Sequence, residues 1–529
     1  MDKKIQETER EILIHKRDER ILKERRVIEN IKEKPKMFFD YIKNQENRDV
    51  IIGPFKIQGE YIYDGKTICN LLVEQYNSQF SSNETEEKIN EEIFTDVQEG
   101  DLVDIQVSEK DILEAIEKMD ANSSAGPDGI PAKFLTKTKE TITLPLCIIM
   151  RKSLDEGKIP DILKLAYVTP IHKGGSKLKP EQYRPVSLTS HIMKVFERVV
   201  KTRIMNHLLQ QGLINPGQHG FVPGKSTQTQ ILEHLCDIYE AIAEGVRIDT
   251  VYLDFAKAFD KVNHKILLQK LMKHKIKGKI GIWIKEFLSN RKYRVVANGE
   301  ISEEQDVKSG VPQGTVLAAV LFVIMISDID EEVKRSIVRC FADDTRNSLK
   351  IKTEEDKKDM QSDLNSIYKW AKRNMMEFNE NKFEQMTCGK TNGIDIVSYI
   401  TPSGNEIEHK NKVKDLGVVT SEDILFREHI DSVVTSCKIK QGIILRKFLT
   451  RKEEPMMKIF KTYIRSKIDY CCLVWSPWYQ KDIDKIERLQ KNFTSKIEGM
   501  EKLNYHERLK KLNLYSLERR RERFMIINA

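Results

Sequence analysis

Apolar and polar positions that alternate mark short strands, and apolar positions three to four apart mark one face of a helix. Ser336 to Arg339 alternate, the apolar trio Cys340–Phe341–Ala342 follows, and beyond Asp343–Asp344 the chain turns polar and runs out through Leu349 and Ile351. This pattern predicts a β-hairpin with two carboxylates at its tip. Val251 to Leu253 carry a short buried-strand signature, with Asp254 where that strand ends. A helical run starts at Asn263, where Ile266, Leu267, Leu268, Leu271 and Met272 suit one face. Ser108 precedes a helix predicted over Glu109–Met119, and Asp111 three residues on makes an approximate capping box. Residues from about Lys352 to Asn374 read as helix, and Lys382–Thr387 and Glu406–Val419 read as strands. Three further helical stretches follow, His429–Phe448, Pro455–Tyr470 and Lys481–Ile497, joined by polar segments.

The first 45 residues are rich in Lys, Arg and Glu, with Ile5, Ile12, Ile21, Leu22, Ile28 and Ile31 spaced as a loose stripe. A long, mostly solvated helix leading into Pro35-Lys-Met-Phe-Phe39 is expected, with pairing as a coiled coil the alternative that its irregular heptads disfavour. Glu86 to Glu99 is polar and acidic and reads as a linker. With 529 residues the chain is long enough for several subdomains with substantial cores. Lys and Arg number 89 against 81 Asp and Glu, a net charge of +8, so any surface for a polyanion must be segregated. Basic clusters occur at Lys173–Lys179, Lys265–Lys279, Lys285–Arg294, Lys438–Lys452 and Arg519–Arg523. Trp283, Tyr293 and Phe448 lie in or near them, to stack on bases or to anchor helices; Trp283, within an apolar helical stripe, reads as an anchor. The eight cysteines show no zinc-ligand spacing and no disulfide framework, which suits a reducing compartment. Cys471–Cys472 reads as buried packing. The apolar run Val316–Ile326 is too short to span a bilayer, and no signal peptide is visible, so no membrane role is expected.

Asp343–Asp344 is the sole Asp-Asp pair in the chain. Adjacent anions at a tight turn repel each other and favour a cation between them. A carboxylate at the end of the Val251–Leu253 strand joins them if the two strands are neighbours in one sheet. Three carboxylates so placed hold two Mg²⁺ ions, the arrangement that activates a hydroxyl and binds a triphosphate. Between these elements lies Ser309-Gly-Val-Pro-Gln-Gly-Thr-Val-Leu317, in which Gly310, Pro312 and Gly314 force a loop that approaches a ligand closely.

In this order (the Asp-bearing strand, the Gly-Val-Pro-Gln-Gly loop and the Ala-Asp-Asp hairpin) the chain resembles the reverse transcriptases of non-LTR (LINE-type) retrotransposons, close to the jockey and CR1 groups. Further blocks are similar to theirs: Ser124-Ala-Gly-Pro-Asp-Gly-Ile130, Ala166-Tyr-Val-Thr-Pro-Ile-His-Lys-Gly-Gly175, Tyr183-Arg-Pro-Val-Ser-Leu-Thr-Ser190 and Gln218-His-Gly-Phe-Val-Pro-Gly-Lys-Ser-Thr227. So are Lys414-Asp-Leu-Gly417, like a primer-grip hairpin, and Val474-Trp-Ser-Pro477 and Leu517-Glu-Arg-Arg520 beyond it. The resemblance implies an α+β fold of right-hand polymerase type: an N-terminal helical extension and linker over 1–100, fingers over 101–249, an antiparallel-sheet palm over 250–425 and a helical thumb over 426–529. It implies Asp254, Asp343 and Asp344 as catalytic metal ligands for two Mg²⁺, with Mn²⁺ as an alternative. Lys382, in Asn379-Glu-Asn-Lys-Phe383, becomes a candidate general acid for pyrophosphate. Lys173 and Arg184 would reach the incoming triphosphate, and guanidinium suits a bidentate phosphate contact. Phe259 would be an aromatic gate excluding the ribose 2′-hydroxyl, and Gln313 and Gly314 would border the nucleotide pocket.

Three positions depart from the family pattern: Phe341 where Tyr is familiar, Ala318-Ala319 for a usual Gly-Pro, and Leu163 for a typical Trp. None removes a catalytic carboxylate. The expected activity is RNA-directed DNA synthesis from a primer 3′-hydroxyl, with dNTPs, an RNA template and a DNA primer or target as partners, in the cytoplasm or nucleus. The chief alternative is a catalytically inactive nucleic-acid-binding relic. A viral RNA polymerase is disfavoured by the bulky Phe259, and a splicing maturase by the lack of an added intron-binding region. An endonuclease before the polymerase and an RNase H after it are expected to be absent, with the end of the chain clipped relative to complete elements.

Overall fold

The computed structural model describes residues 2–43, 51–80, 94–391 and 393–528. The predicted linker 86–99 therefore lies largely outside the described residues.

A five-stranded sheet forms the centre, in the order Glu408–His409, Glu384–Cys388, Arg247–Leu253, Asp344–Ile351 and Ile337–Phe341. All its pairings are antiparallel except that of the short Glu408–His409 edge. The central Arg247–Leu253 strand is buried on both faces, and its period of two divides the core. Val251 and Leu253 point into one apolar cluster with Leu267, Leu271, Phe322, Leu364 and Trp370. Ile248 and Tyr252 point the other way, toward Ile231, Leu235 and the C-terminal helices. The helices on the first face are His264–Lys273, Ala318–Met325 and Glu354–Arg373. Asn263 caps the first, its side chain accepting from Ile266 N–H, and Thr353 with Asp356 forms a full capping box on the last. The apolar run 316–326 is spent on the wholly buried Ala318–Met325 helix, and no helix among the described residues is long and apolar enough to cross a membrane.

A second sheet lies beside the first. Leu165–His172 pairs antiparallel with Tyr183–Thr189, from Ala166↔Thr189 to His172↔Tyr183, and parallel with Lys292–Ala297. The third strand thus returns from more than a hundred residues downstream. Helix Gly65–Asn77 covers this sheet through Ile68, Cys69, Leu72 and Tyr76. Trp283 is fully buried in the helix Gly278–Leu288, its indole N–H donating to Ser153 Oγ at 3.0 Å, and Tyr293 and Phe448 are buried too, so all three serve packing. The basic clusters are likewise only partly surface: Lys270, Arg291 and Arg521 are buried.

The C-terminal third is helical, with Arg427–Lys447, Glu453–Ile459, a π-turn over Phe460–Ile464, Arg465–Asp469 and Gln480–Thr494 as its main elements. The predicted single strand Glu406–Val419 is instead two ladders. Glu408–His409 joins the central sheet, and Lys412–Asp415 turns back on Val418–Ser421 through Leu416 and Gly417, both at positive φ. The apolar phase shifts across the turn, from Val413 to Val418, and that break marks it. The N-terminal helix Asp2–Glu29 is long and mostly solvated, as expected, but its last turns dock. Glu24, Val27, Ile28 and Ile31 are buried against the C-terminal helices, with Phe38 of the next helix, Pro35–Lys43. The Glu24 carboxylate accepts from Leu449 N–H at 2.7 Å, Thr450 N–H at 2.9 Å and Tyr41 O–H at 2.8 Å, closing the end of helix Arg427–Lys447.

Candidate active site

Asp254 leaves the central strand just after Leu253, which pairs with Thr345. One step further along both strands stand Asp254 and Asp344, so the two carboxylates emerge at the same end of neighbouring strands. The Asp254 carbonyl accepts from Asn379 N–H at 2.8 Å, and Ala256 N–H donates to Glu377 O at 2.8 Å. This holds the Asp254 backbone beyond the regular ladder. The segment that binds it continues into the Glu380–Lys382 turn, and Lys382 Nζ lies 2.6 Å from Asp254 Oδ2.

The hairpin closes as expected, Phe341 pairing with Asp344 across Ala342 and Asp343. Ala342 adopts φ 56°, a left-handed conformation that costs an L-residue about 1–2 kcal/mol. Such strain persists where neighbours over-determine it. The chain segment 217–220 lies along the hairpin and donates and accepts backbone hydrogen bonds with Cys340. Gln218 Oε1 accepts from Ala342 N–H at 3.0 Å.

The electrostatics of the cluster are those of crowded like charges. Burial raises the Asp343 pKa, Asp254 raises it further, and Arg184 and Lys173 oppose. Asp344 is pushed up to about 6 by burial and then by Asp343, Asp415 and Asp254, although one side of it still meets solvent. Lys173 is lowered by burial and by Arg184 and Lys382, while Asp254 and Asp343 pull it back. Three carboxylates and three cations therefore feel one another across a single cleft. Among the described residues, no three His, Cys, Asp or Glu side chains converge in metal-ligand geometry; Asp254 faces the Lys382 ammonium instead. The donor chemistry still fits a hard divalent cation, because the groups are carboxylates, and Asp343 and Asp344, raised by burial and then by neighbouring carboxylates, sit where a cation would relieve both.

Two further loops interlock. Gly310 N–H donates to Val262 O at 2.8 Å and Val311 N–H to Phe259 O at 2.8 Å. Gly310 has φ 88°, and a Cβ there would lie 2.7 Å from Asp260 O, so only glycine permits the approach. At Gly314, φ 102°, a Cβ would lie 2.8 Å from Ser187 O. Ser187 N–H in turn donates to Gln313 O at 2.9 Å, tying the loop to the strand that carries Arg184. The Phe259 ring stacks on Phe322 at 4.4 Å and 12° and meets Phe221 edge-on at 6.3 Å.

Of the residues singled out in the sequence, Asp254, Asp343, Asp344, Lys173, Arg184 and Lys382 thus form one electrostatic group, while Phe259, Gln313 and Gly314 lie in the interlocked loops tied to the Arg184 strand. Three contributors were not singled out. Asp260 accepts from Gln313 Nε2 at 2.9 and 3.1 Å, and burial pushes it up to about 6 while Gln313, Lys257 and Arg184 oppose. Arg346, buried one turn of the pleat from Asp344, forms an ion pair with Asp415 in the Lys414-Asp-Leu-Gly417 hairpin. Tyr470 O–H donates to Leu416 O at 2.7 Å and fixes that hairpin from the helical side. Asp260 and Gln218 stood inside motifs already recognised, but their partners are 53 and 124 positions away.

Residues 171–420 match the family model described as Reverse transcriptase (RNA-dependent DNA polymerase). The chain carries a reverse transcriptase domain. Its curated relatives include the "Probable RNA-directed DNA polymerase from transposon X-element" of Drosophila melanogaster, 26% identical over 74% of this chain and 44% of the relative. The "RNA-directed DNA polymerase from mobile element jockey" of Drosophila funebris is likewise 26% identical over 74% of this chain and 44% of its own length. The chain thus spans less than half the length of these relatives. A solved apo telomerase from Candida tropicalis, truncated from its C-terminal domain, aligns with 55% of this chain and 59% of its own at 12% identity and a TM-score of 0.36. With a reverse transcriptase domain established, the α+β right-hand polymerase architecture follows.

Proposed function

We propose that this chain is the RNA-directed DNA polymerase part of a non-LTR retrotransposon protein, extending a primer 3′-hydroxyl with dNTPs on an RNA template inside the cell. The observation that carries the reading is the emergence of Asp254 and Asp344 at one end of paired strands, beside Asp343, with Lys173, Arg184 and Lys382 facing them. Asp254, Asp343 and Asp344 are the residues to hold two Mg²⁺ (or Mn²⁺) ions. When bound, such ions lower the pKa of the attacking hydroxyl and neutralise charge on the transferred phosphates.

The remaining side chains bind and exclude. Lys173 and Arg184 sit on the fingers strands as cations for the triphosphate, with Arg184 able to offer two N–H groups to one phosphate. Lys382 can leave Asp254 for the departing pyrophosphate and hand it a proton. Phe259, held flat on Phe322, cannot swing aside to admit a 2′-hydroxyl, which selects dNTPs by shape. Gln313, anchored by Asp260, faces the sugar and base, and Gly314 lets the loop backbone come close. The proposed limits are fingers 101–249, palm 250–425 and thumb 426–529, behind an N-terminal extension that grips the thumb.

The test is extension of a DNA primer on a homopolymer RNA template with Mg²⁺, wild type against Asp343→Asn. Incorporation is expected in the wild type and lost in the variant, with template-primer binding retained. A variant that still incorporates dNTPs refutes the assignment, and a wild type that binds without extending favours the inactive relic.

A further inference from the structure

The Gln218-His219-Gly220 block has no part in the proposed reaction so far, yet it lies flat against the catalytic hairpin. Gly217 O accepts from Cys340 N–H at 2.9 Å, and Cys340 O accepts from His219 N–H at 2.8 Å. The two segments fit without side chains between them: a Cβ would lie 2.4 Å from Val338 O at Gly217 and 2.2 Å from Ala342 N at Gly220. Gln218, 3% exposed, then turns its amide oxygen into the hairpin and accepts from Gly220 N–H at 2.7 Å and from Ala342 N–H at 3.0 Å. Ala342 is the left-handed residue of the turn, at φ 56°.

We infer that Gln218 is a positioning residue for the catalytic turn: its Oε1 captures the Ala342 N–H and thereby fixes the left-handed backbone that aims Asp343. The physical reason is that an alanine does not hold φ near 56° unaided. If Ala342 relaxes to negative φ, the peptide units on its two sides rotate relative to one another, so that either the buried Ala342 N–H turns from the Gln218 oxygen or the Asp343 carboxylate is re-aimed. The acceptor must come from outside the hairpin, because the turn is too tight to supply one. This role rests on the proposed part of Asp343 in the reaction.

The experiment compares primer extension by the full chain carrying Gln218→Leu, Gln218→Glu, and Gln218→Leu combined with Ala342→Gly. Leucine matches the volume and removes the acceptor; glutamate keeps an acceptor oxygen; glycine adopts the left-handed turn without strain. Gln218→Leu is expected to lower kcat about 10- to 100-fold and raise the Mg²⁺ concentration for half-maximal rate. The KM for dNTP and the affinity for template-primer should move less than about threefold. Gln218→Glu should keep kcat within about fivefold, with its pH optimum displaced upward by the added anion. Ala342→Gly should restore part of the loss. Should Gln218→Leu fail to fold by its melting curve, Gln218→Met takes its place. Unchanged kcat and Mg²⁺ dependence in the leucine variant, equal loss in leucine and glutamate variants, or no restoration by Ala342→Gly each overturns the inference. Asp343→Asn run alongside separates the two claims. If it remains active, the assignment of Asp343 fails and takes this role with it. If it is dead while Gln218→Leu is normal, only the role of Gln218 falls.

Discussion

Replacing Asp260 by Asn isolates one buried charge behind the nucleotide loop. Burial raises this carboxyl from 3.8 to about 6, a rise of about two pH units. At about 1.4 kcal/mol per pH unit, the folded protein carries a penalty of about 3 kcal/mol once Asp260 is ionised. The sign follows from proton uptake. Between pH 3.8 and about 6 the folded state holds the proton more tightly than the unfolded chain, so stability falls as pH rises through that window and levels off above it. Asn removes the titration at every pH. It also gives up one of the two contacts from Gln313 Nε2, at 2.9 and 3.1 Å, which costs about 1 kcal/mol throughout. The variant should therefore be about 1 kcal/mol less stable than wild type at pH 4 and about 2 kcal/mol more stable at pH 7. All other carboxylates titrate alike in both proteins and cancel in the difference. Urea unfolding followed by fluorescence of the buried Trp283 and Trp370, at pH steps from 4 to 7.5, measures it. A difference that is flat with pH, or that grows in favour of the wild type, refutes the assignment of a buried, destabilising Asp260.

The gate makes a second prediction. Phe259→Val should raise ribonucleotide incorporation relative to dNTPs at least about 10-fold, measured as the ratio of kcat/KM values, and an unchanged ratio counts against a steric filter. Glu24→Ala removes the acceptor for two backbone N–H groups and the Tyr41 hydroxyl, a loss of about 2–4 kcal/mol at the junction of N-terminal helix and thumb. Residues 2–43 should then exchange amide hydrogens and be cleaved by protease faster than in wild type; equal protection contradicts the docking role.

The palm and its hairpin were legible because two signals agree there. Period-2 patterning sets Val251–Leu253 and Cys340–Phe341 as strands, and the charged residues at their ends have no apolar partner to hide against. The Gly310 and Gly314 positions were readable for the same local reason, a backbone conformation open to glycine. What the sequence concealed depends on distant partners. Gln218 and Asp260 are ordinary polar residues until Ala342 and Gln313 arrive beside them. The Leu416-Gly417 turn was missed because the two short strands were read as one run, although Val413 and Val418 fall out of phase across it. The N-terminal helix was read as long and mostly solvated, but its docking was hidden because Ile12 and Leu22 are exposed and blur the stripe, while its buried contacts are gathered in the last turns around Glu24, Val27 and Ile28. The Arg346–Asp415 pair joins catalytic strand to primer-side hairpin and has no sequence signature at all.

Everything functional depends on Asp254, Asp343 and Asp344 sharing divalent cations once template and primer are bound. Mn²⁺ titrated into the protein–template–primer complex and followed by electron paramagnetic resonance reports that sharing without reference to turnover. The account predicts Mn²⁺ binding to the wild type, weakened at least about 10-fold in both Asp254→Asn and Asp343→Asn. Wild-type affinity in either variant, with the nucleic acid still bound, contradicts it.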